Sequence, residues 1–203
     1  MKDKSKKSTY STTFGVDPRN LGMDYNQNRK FLLLKRCDGS TEVWVWDGLA
    51  LIRRGSDIYV NEPHISGGVP ILSKTDEGVR YHEHDFLGTT LWSTDTNGNL
   101  VKDYQDTTIF GEGSIQKDRS ARFTGKPYDE DLQAYVFPYR NYDASTARWR
   151  SSDTAGYSGG PNQHFYAGTP TLGLDILGTL YYYYHDGNGI ITIQMSIILL
   201  MDR

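Results

Sequence analysis

Short apolar runs alternate with turn residues along this chain, and the first clear pair of runs lies between positions 31 and 46. The runs 31–36 (FLLLKR) and 41–46 (TEVWVW) flank an Asp38-Gly39 step. An Asp-Gly step between two such runs is a strong hairpin signal, because a type I′ turn needs positive φ at both central positions. Residues 43–46 place apolar side chains on both faces of the second strand, so we expect this strand to be covered on both sides.

The same pattern recurs twice further along the chain. In each case two β-prone runs surround a turn that contains glycine: residues 69–73 and 79–84 around 74–78, and residues 91–94 and 100–104 around 95–99. Because each hairpin must bury its apolar face against a neighbour, this spacing predicts an antiparallel sheet of repeated hairpins. We therefore predict an all-β fold in which β-hairpin repeats form a curved sheet, followed by an irregular region rich in Gly, Asp and Tyr.

The composition agrees with a β fold and argues against one class of partner. The chain contains 15 tyrosines, 4 tryptophans and 21 glycines. Aromatic residues suit the half-buried surface of a sheet, and glycine suits tight turns. The formal net charge is -3, from 22 basic and 25 acidic residues, so no positive field favours nucleic acid. Cys37 is the only cysteine, which excludes an intrachain disulfide and more often marks a small apolar residue than a nucleophile.

Changes in amino-acid composition and apolar pattern along the chain predict four segments. We expect a polar, disordered lead-in over 1–28, hairpin repeats over 29–110, a core region over 111–179 and a short tail over 180–203. The basic start lacks the apolar stretch of about 7–15 residues that a signal peptide needs. The apolar run 190–201 is shorter than the roughly 20 residues that span a bilayer. We expect neither a signal peptide nor a membrane span, and the sequence leaves the localisation unknown.

Three blocks of the chain, in order, resemble the Rhs-repeat-associated core of the YD-repeat family. The first block is YHEHDFLGTT at 81–90, which leads through TDTNGN at 94–99 to Tyr104 and Phe110-Gly111. The second is RFTGKPYDE at 122–130, continued by YRNYD at 139–143 and RWRSSD at 148–153. The third is GYSGGPN at 156–162, continued by Pro170 and DILG at 175–178. The segment WDGLALI at 46–52 also resembles a strand of the family.

The resemblance implies a structural role beside a toxin. In this family the core closes one end of a β-sheet shell around a C-terminal toxin, and aspartates of the core cut the chain. When the family pattern is carried over residue by residue, the aspartates are Asp153 and Asp175, and the scissile bond is Thr179–Leu180. Arg148 lies on the strand that leads to Asp153. Two neighbouring carboxylates share a proton, so one can act as base on a water and the other as acid on the amide. The chain is then at most autoproteolytic.

The chain departs from the family pattern next to both aspartates. Thr154 and Ile176 stand where the family has proline, and Thr179 stands where leucine is expected. A second interpretation therefore stays open, in which Asp153 and Asp175 are ordinary turn residues that cap backbone amides.

Further departures concern backbone conformation. Family glycines are replaced by Gln133, Pro138 and Ala147, and a family proline by Ala144. Wherever the backbone keeps a positive φ, a residue other than glycine costs about 1 kcal/mol or more.

The segment beyond the predicted cut bears on function and partners. Residues 180–203 are too few for a toxin enzyme, since chains under about 40 residues rarely fold without disulfides or metals. We expect a shell or core fragment without its own toxin. Its expected partners are the remainder of an Rhs shell, another copy of the chain or a separately encoded toxin, and the pattern implies no cofactor.

Two other functions fit parts of the sequence. His82 and His84 share a face of a strand beside Asp85 and could ligate zinc, although the family pattern already accounts for His84 and Asp85. Exposed aromatic residues such as Trp92 or residues 181–184 (YYYY) could stack on sugars. They would make the chain a surface module that binds carbohydrate or protein. The sequence contains no G-x-S-x-G or P-loop motif.

Overall fold

A computed structural model describes residues 9–11, 29–35, 39–63, 68–153, 156, 161–167, 170, 173–178 and 182–183. These residues form antiparallel strands and turns, and the helical element among them is a 3-10 turn at Ser114–Lys117. The predicted all-β fold class is confirmed. Cys37 and, apart from Thr9–Ser11, the lead-in lie outside the described residues. Within the described ranges, no helix has the length and hydropathy to cross a bilayer.

The first sheet is a meander of nine strands, each antiparallel to the next along the chain. Its strands are β1 (Thr9–Ser11), β2 (Arg29–Lys35), β3 (Thr41–Asp47), β4 (Ala50–Arg54), β5 (Asp57–Asn61), β6 (Pro70–Thr75), β7 (Gly78–His84), β8 (Thr90–Thr94) and β9 (Leu100–Asp103). Because antiparallel neighbours need only short turns, the order of strands in the sheet follows the order in the sequence.

Two smaller sheets follow in the second half of the chain. A four-stranded sheet contains β10 (Tyr128–Asp129), β11 (Ala134–Val136), β12 (Asn141–Asp143) and β13 (Arg148–Trp149), again in chain order. A third sheet pairs β14 (Gly173–Leu174) with β15 (Tyr182–Tyr183).

The hairpins predicted from turn residues are present. Lys35 pairs with Thr41 across the first predicted turn, and β8 pairs with β9 across the third. In the second hairpin Thr75 pairs with Gly78, whose φ of +118° is open mainly to glycine. The sequence analysis missed the hairpin of β4 and β5, because the arginines at the end of β4 hide its apolar pattern.

The strand β3 is covered on both sides, as predicted. Trp44 and Val45 point to opposite faces, yet their exposed fractions are 0% and 1%. Trp44 packs with Leu51, Tyr59 and, from the second sheet, Val136. The second sheet therefore lies against one face of the first.

The main core is a cluster of aromatic rings between the second sheet and its neighbouring loops. Its rings belong to Tyr104, Phe123, Tyr135, Phe137, Tyr142, Trp149 and Tyr166. Ring centroids lie 4.3 Å apart for Tyr142 and Tyr166, and 4.8 Å apart for Phe137 and Trp149. Such pairs stabilise a core beyond the area that they bury.

A buried arginine fixes the second sheet to the first. Arg54 of β4 is fully buried, and its guanidinium carbon lies 4.6 Å from the centre of the Trp44 ring. It donates to the carbonyl oxygen of Tyr128 at 2.7 Å and to the carboxylate of Glu130 at 2.6 Å. Because a buried charge is costly without partners, these contacts hold β10 in place against β4.

Two of the three positions where the family has glycine do adopt a left-handed backbone. Gln133 has a φ of +54° and Ala147 a φ of +53°. Pro138 does not appear among the residues with positive φ, since its ring fixes φ near −65°. The turns that lead into β11 and β13 therefore carry backbone strain that glycine would relieve.

We predict that Ala147→Gly raises the free energy of unfolding by about 0.5–1 kcal/mol. Glycine relieves the strain of the left-handed conformation, and the larger conformational entropy of glycine in the unfolded chain offsets part of this gain. Urea denaturation measures this change. The matched control is Ala134→Gly in β11, which should destabilise the chain, because glycine weakens a strand. A loss of stability in both variants would contradict strain at Ala147.

Candidate functional site

The two aspartates identified by resemblance lie together, and Arg140 joins them. Asp153 follows β13, Asp175 directly follows β14, and Arg140 directly precedes β12. Arg140 Nη2 lies 3.0 Å from Asp153 Oδ2 and 3.3 Å from Asp175 Oδ2. All three side chains are buried, so this ion cluster is screened little by solvent.

Arg140 also holds the main chain around the aspartates. Its Nη1 donates to the carbonyl oxygen of Gln163 at 2.9 Å, and its Nε donates to that of Gly178. Its guanidinium carbon lies 4.3 Å from the centre of the Trp149 ring. Burial lowers the pKa of Arg140, and the two aspartates oppose that effect. One cation thus connects the aromatic core with the turn that precedes the predicted cut.

Asp175 has a second role that belongs to the backbone. Its Oδ1 accepts a hydrogen bond from the Gly178 amide at 2.6 Å, which closes the turn 175–178. The Leu177 carbonyl of the same turn accepts from the Tyr139 amide at 3.1 Å. Asp175 therefore caps a turn, as the second interpretation expected, and also pairs with Arg140. The residues of the predicted scissile bond, Thr179 and Leu180, lie outside the described residues.

A buried lysine adds a second cation near this cluster. Lys126 is fully buried, and its Nζ lies 5.8 Å from the centre of the Phe137 ring. Burial lowers the pKa of Lys126 to about 8, while the negative charge of Asp175 acts in the opposite direction. Two carboxylates and two cations therefore occupy one buried region, which limits its net charge.

The structure does not bring Arg148 to the aspartates. Arg148 is exposed at the start of β13, where it stands opposite Asp143 of β12. The arginine that contacts both carboxylates is Arg140, to which the sequence analysis gave no role. The available signal was its position in the YRNYD block, where a charged residue is surrounded by aromatic ones.

The histidines considered as zinc ligands are arranged differently from a metal site. His82 is buried, with Nδ1 2.8 Å from Ser93 Oγ and Nε2 2.8 Å from Ser73 Oγ. The ring centroids of His82 and His84 are 6.4 Å apart. Both nitrogens of His82 are therefore engaged, and the described residues contain no group of three or more His, Cys, Asp or Glu that could hold a metal ion.

The pKa values of both histidines are low. Burial, followed by the charge of Arg122, lowers the pKa of His82 to about 3. Burial also lowers the pKa of His84 to about 4. His82 is therefore neutral around pH 7 and serves as a hydrogen-bonding residue between three strands.

A cavity of about 290 Å³ lies elsewhere, between the first sheet and the loop 117–120. Charged side chains line it, and several pair with each other: Arg80 lies 2.7 Å from Asp118, and Arg119 lies 3.4 Å from Asp57. These pairs leave little uncompensated charge for a ligand. Trp92, named as a sugar-stacking candidate, is 39% exposed on the opposite face of the sheet.

Comparison with known proteins shows sequence similarity to a toxin protein and fold similarity to solved structures of TcdB2-TccC3. The chain is 33% identical over 118 residues to the toxin protein Tse5 of Pseudomonas aeruginosa. This alignment covers 55% of the chain and 9% of Tse5. No family model matches the chain. The crystal structure of TcdB2-TccC3 without its hypervariable C-terminal region aligns with a TM-score of 0.51 and 20% identity, over 77% of this chain and 8% of that one. The TcdB2-TccC3-Cdc42 structure aligns with a TM-score of 0.48 and 22% identity, over 76% and 7%.

The match to Tse5 shows sequence similarity over about half of this chain, and the structure of TcdB2-TccC3 without its hypervariable C-terminal region shows a shared fold. The chain spans less than a tenth of the length of each of these proteins.

We predict that protonation linked to His82 destabilises the fold in acid. The pKa of His82 falls from about 6.5 in the unfolded chain to about 3 in the folded one. Between these values the unfolded state binds a proton that the folded state does not, so stability falls as the pH falls. His82 contributes a slope of about 1.4 kcal/mol per pH unit around pH 5, and His84, whose pKa is also lowered, adds a slope of the same sign.

Urea denaturation from pH 7.5 to about pH 5 tests this, since most carboxylates stay ionised there. In the His82→Gln variant the slope should fall by about 1.4 kcal/mol per pH unit, which is the contribution of one proton. The free energy of unfolding of this variant at pH 7.5 measures the cost of the altered packing alone. An unchanged slope would show that His82 is protonated in the fold.

Proposed function

We propose that this chain is a segment of the β-sheet shell of an Rhs-type toxin-delivery protein. The observation that carries the proposal is the nine-stranded meander, covered on one face by a small second sheet. The sequence similarity to Tse5 and the fold similarity to TcdB2-TccC3 support it. Because each match covers less than a tenth of the larger protein, the chain would form one part of a wall.

An open sheet of this kind can be continued by further strands. Among the described residues β1 pairs only with β2, and β9 pairs only with β8. Unpaired strand edges are templates for other strands. The partners that we propose are therefore the remainder of a shell, a second copy or a separately encoded toxin.

The shell proposal predicts that this chain can replace its counterpart in Tse5. We expect a Tse5 chimera, in which the matched 118-residue segment is exchanged, to elute like Tse5 and to resist limited proteolysis. The control chimera carries Tyr104→Ala, which removes a ring that is 3% exposed and should cost about 3 kcal/mol or more. The proposal would be contradicted if the unmutated chimera aggregates while a control Tse5, with its own segment re-inserted, does not.

We propose self-cleavage at Thr179–Leu180 as a second activity. It is favoured by the meeting of Asp153 and Asp175 at Arg140, which also binds the Gly178 carbonyl next to the predicted bond. One carboxylate would accept a proton from water, whose oxygen adds to the Thr179 carbonyl carbon. The other, as an acid, would protonate the Leu180 nitrogen as the C–N bond breaks. Arg140 would position both carboxylates.

We predict that purified protein separates into two fragments with masses that correspond to a cut after Thr179. Asp175→Asn and Asp153→Asn should slow the cut by about 100-fold or more, because each removes an acid–base group. Asp143→Asn makes the same chemical change at a carboxylate that pairs with Arg150 on the surface, and the cut should persist. Intact-mass spectrometry that finds only uncut chain, indistinguishable from Asp175→Asn, would exclude self-cleavage.

A further inference from the structure

The face of the first sheet that points away from the second sheet carries a row of largely apolar side chains. Tyr59 of β5 is buried in one cluster with Val136 of the second sheet, so the next residue along the strand points away from that sheet. The register continues the row across five strands: Val60, Leu72, Tyr81, Thr94 and Leu100. The exposed fraction is 48% for Val60, 45% for Tyr81 and 62% for Leu100. A contiguous exposed row of this kind marks an interaction surface.

Basic side chains border this row on one side. Ile58, which lies on the same face of β5, pairs with Arg53 of β4 and with Lys74 of β6. Cross-strand partners project from the same face of a sheet. Ile58 is 48% exposed, and Lys74 is exposed as well. This basic corner of the face therefore presents positive charge around an apolar side chain.

Acidic side chains border the row on its other side. Trp92 of β8 pairs with Glu83 of β7 and with Asp103 of β9. Both carboxylates are exposed, and Trp92 is 39% exposed. This acidic corner has the same composition as the basic corner with the opposite sign, since two charges flank a large apolar side chain.

The two corners are separated within one chain. Lys74 stands opposite Val79, which comes two residues before Tyr81 on β7. Glu83 comes two residues after Tyr81 on the same strand. At about 3.3 Å per residue, Lys74 and Glu83 are roughly 13 Å apart along the strands. Between described residues, neither of them forms an ion pair, so both charges are available to a partner.

A face with this arrangement is complementary to itself. Turning a second copy through half a turn, about an axis that lies in the face midway between the corners, places each basic corner over an acidic corner. In such an isologous interface every contact is made twice. A uniformly basic or acidic partner would match one corner and meet like charge at the other, which is unfavourable. Charge complementarity therefore selects a second copy of this chain.

We propose that two copies of this chain associate through this face, with their apolar rows in contact and Lys74 of each copy beside Glu83 of the other. Tyr81 lies between the corners, at the centre of the interface, where buried aromatic side chains contribute most to affinity. The association uses a face of the sheet and not the strand edges, so it does not rest on the shell proposal.

Sedimentation velocity of the full chain, from nanomolar to high micromolar concentration, tests this inference. We expect a dimer that dissociates on dilution. Lys74→Glu and Glu83→Lys should each raise the dissociation constant by about tenfold or more, because each places like charges together twice in the dimer. The double variant, Lys74→Glu with Glu83→Lys, exchanges the two signs and should restore the dimer.

The matched control is Lys102→Glu, which makes the same change of charge on the opposite face of the sheet. Lys102 pairs with the fully buried Ser93 and lines the cavity beside the loop 117–120. This variant should dimerise like the wild type. Circular dichroism of every variant checks that the sheet is retained.

Carbodiimide crosslinking identifies the contact itself. The reagent joins a lysine amine to a carboxylate that touches it, as an amide. In a mixture of isotopically labelled and unlabelled chains, the peptide pair that contains Lys74 and Glu83 should include species with one labelled and one unlabelled half.

Three outcomes would overturn the proposal. The first is a monomer at every concentration. The second is a dimer that neither single variant weakens, because its interface would lie elsewhere. The third is a double variant that associates as weakly as the single variants, because the two charges would then not meet across the interface.

Discussion

Buried positive charge is the constraint on which the arrangement of the two larger sheets depends. Arg54 and Arg140 are both nearly inaccessible to solvent, and each must find anions, carbonyl oxygens and ring faces within the protein. Arg54 finds them on Trp44 and at β10. Arg140 finds them on Trp149 and at two aspartates. Because few positions satisfy so many contacts at once, these side chains determine where the second sheet and the turn 175–178 lie.

Much of the first sheet could be predicted from the sequence, because its information is local. An Asp-Gly step or a turn glycine between β-prone runs specifies a hairpin without reference to the rest of the chain. The hairpin of β4 and β5 was missed because Arg53 and Arg54 obscure its pattern, and the hydrogen bonds that hold Arg54 against β10 come from residues 74 or more positions away. A local pattern of apolar and polar residues does not show such distant partners.

The candidate site could be predicted only in part, for the same reason. The resemblance pointed to Asp153 and Asp175, which do lie together. It also pointed to Arg148, which the register of β12 and β13 directs to the surface. Arg140 takes its place at the aspartates because it precedes β12 and its side chain is buried against Trp149. That position depends on tertiary packing, which a motif does not encode.

The double engagement of Asp175 has a consequence for how such chains are recognised. One oxygen of this carboxylate closes a turn and the other neutralises a cation, so the residue is required for architecture whether or not any bond is broken. A lineage that has lost catalysis would retain the aspartate for mechanical reasons. The pair of acidic residues alone is therefore a poor criterion for sorting active from silent members in genome surveys.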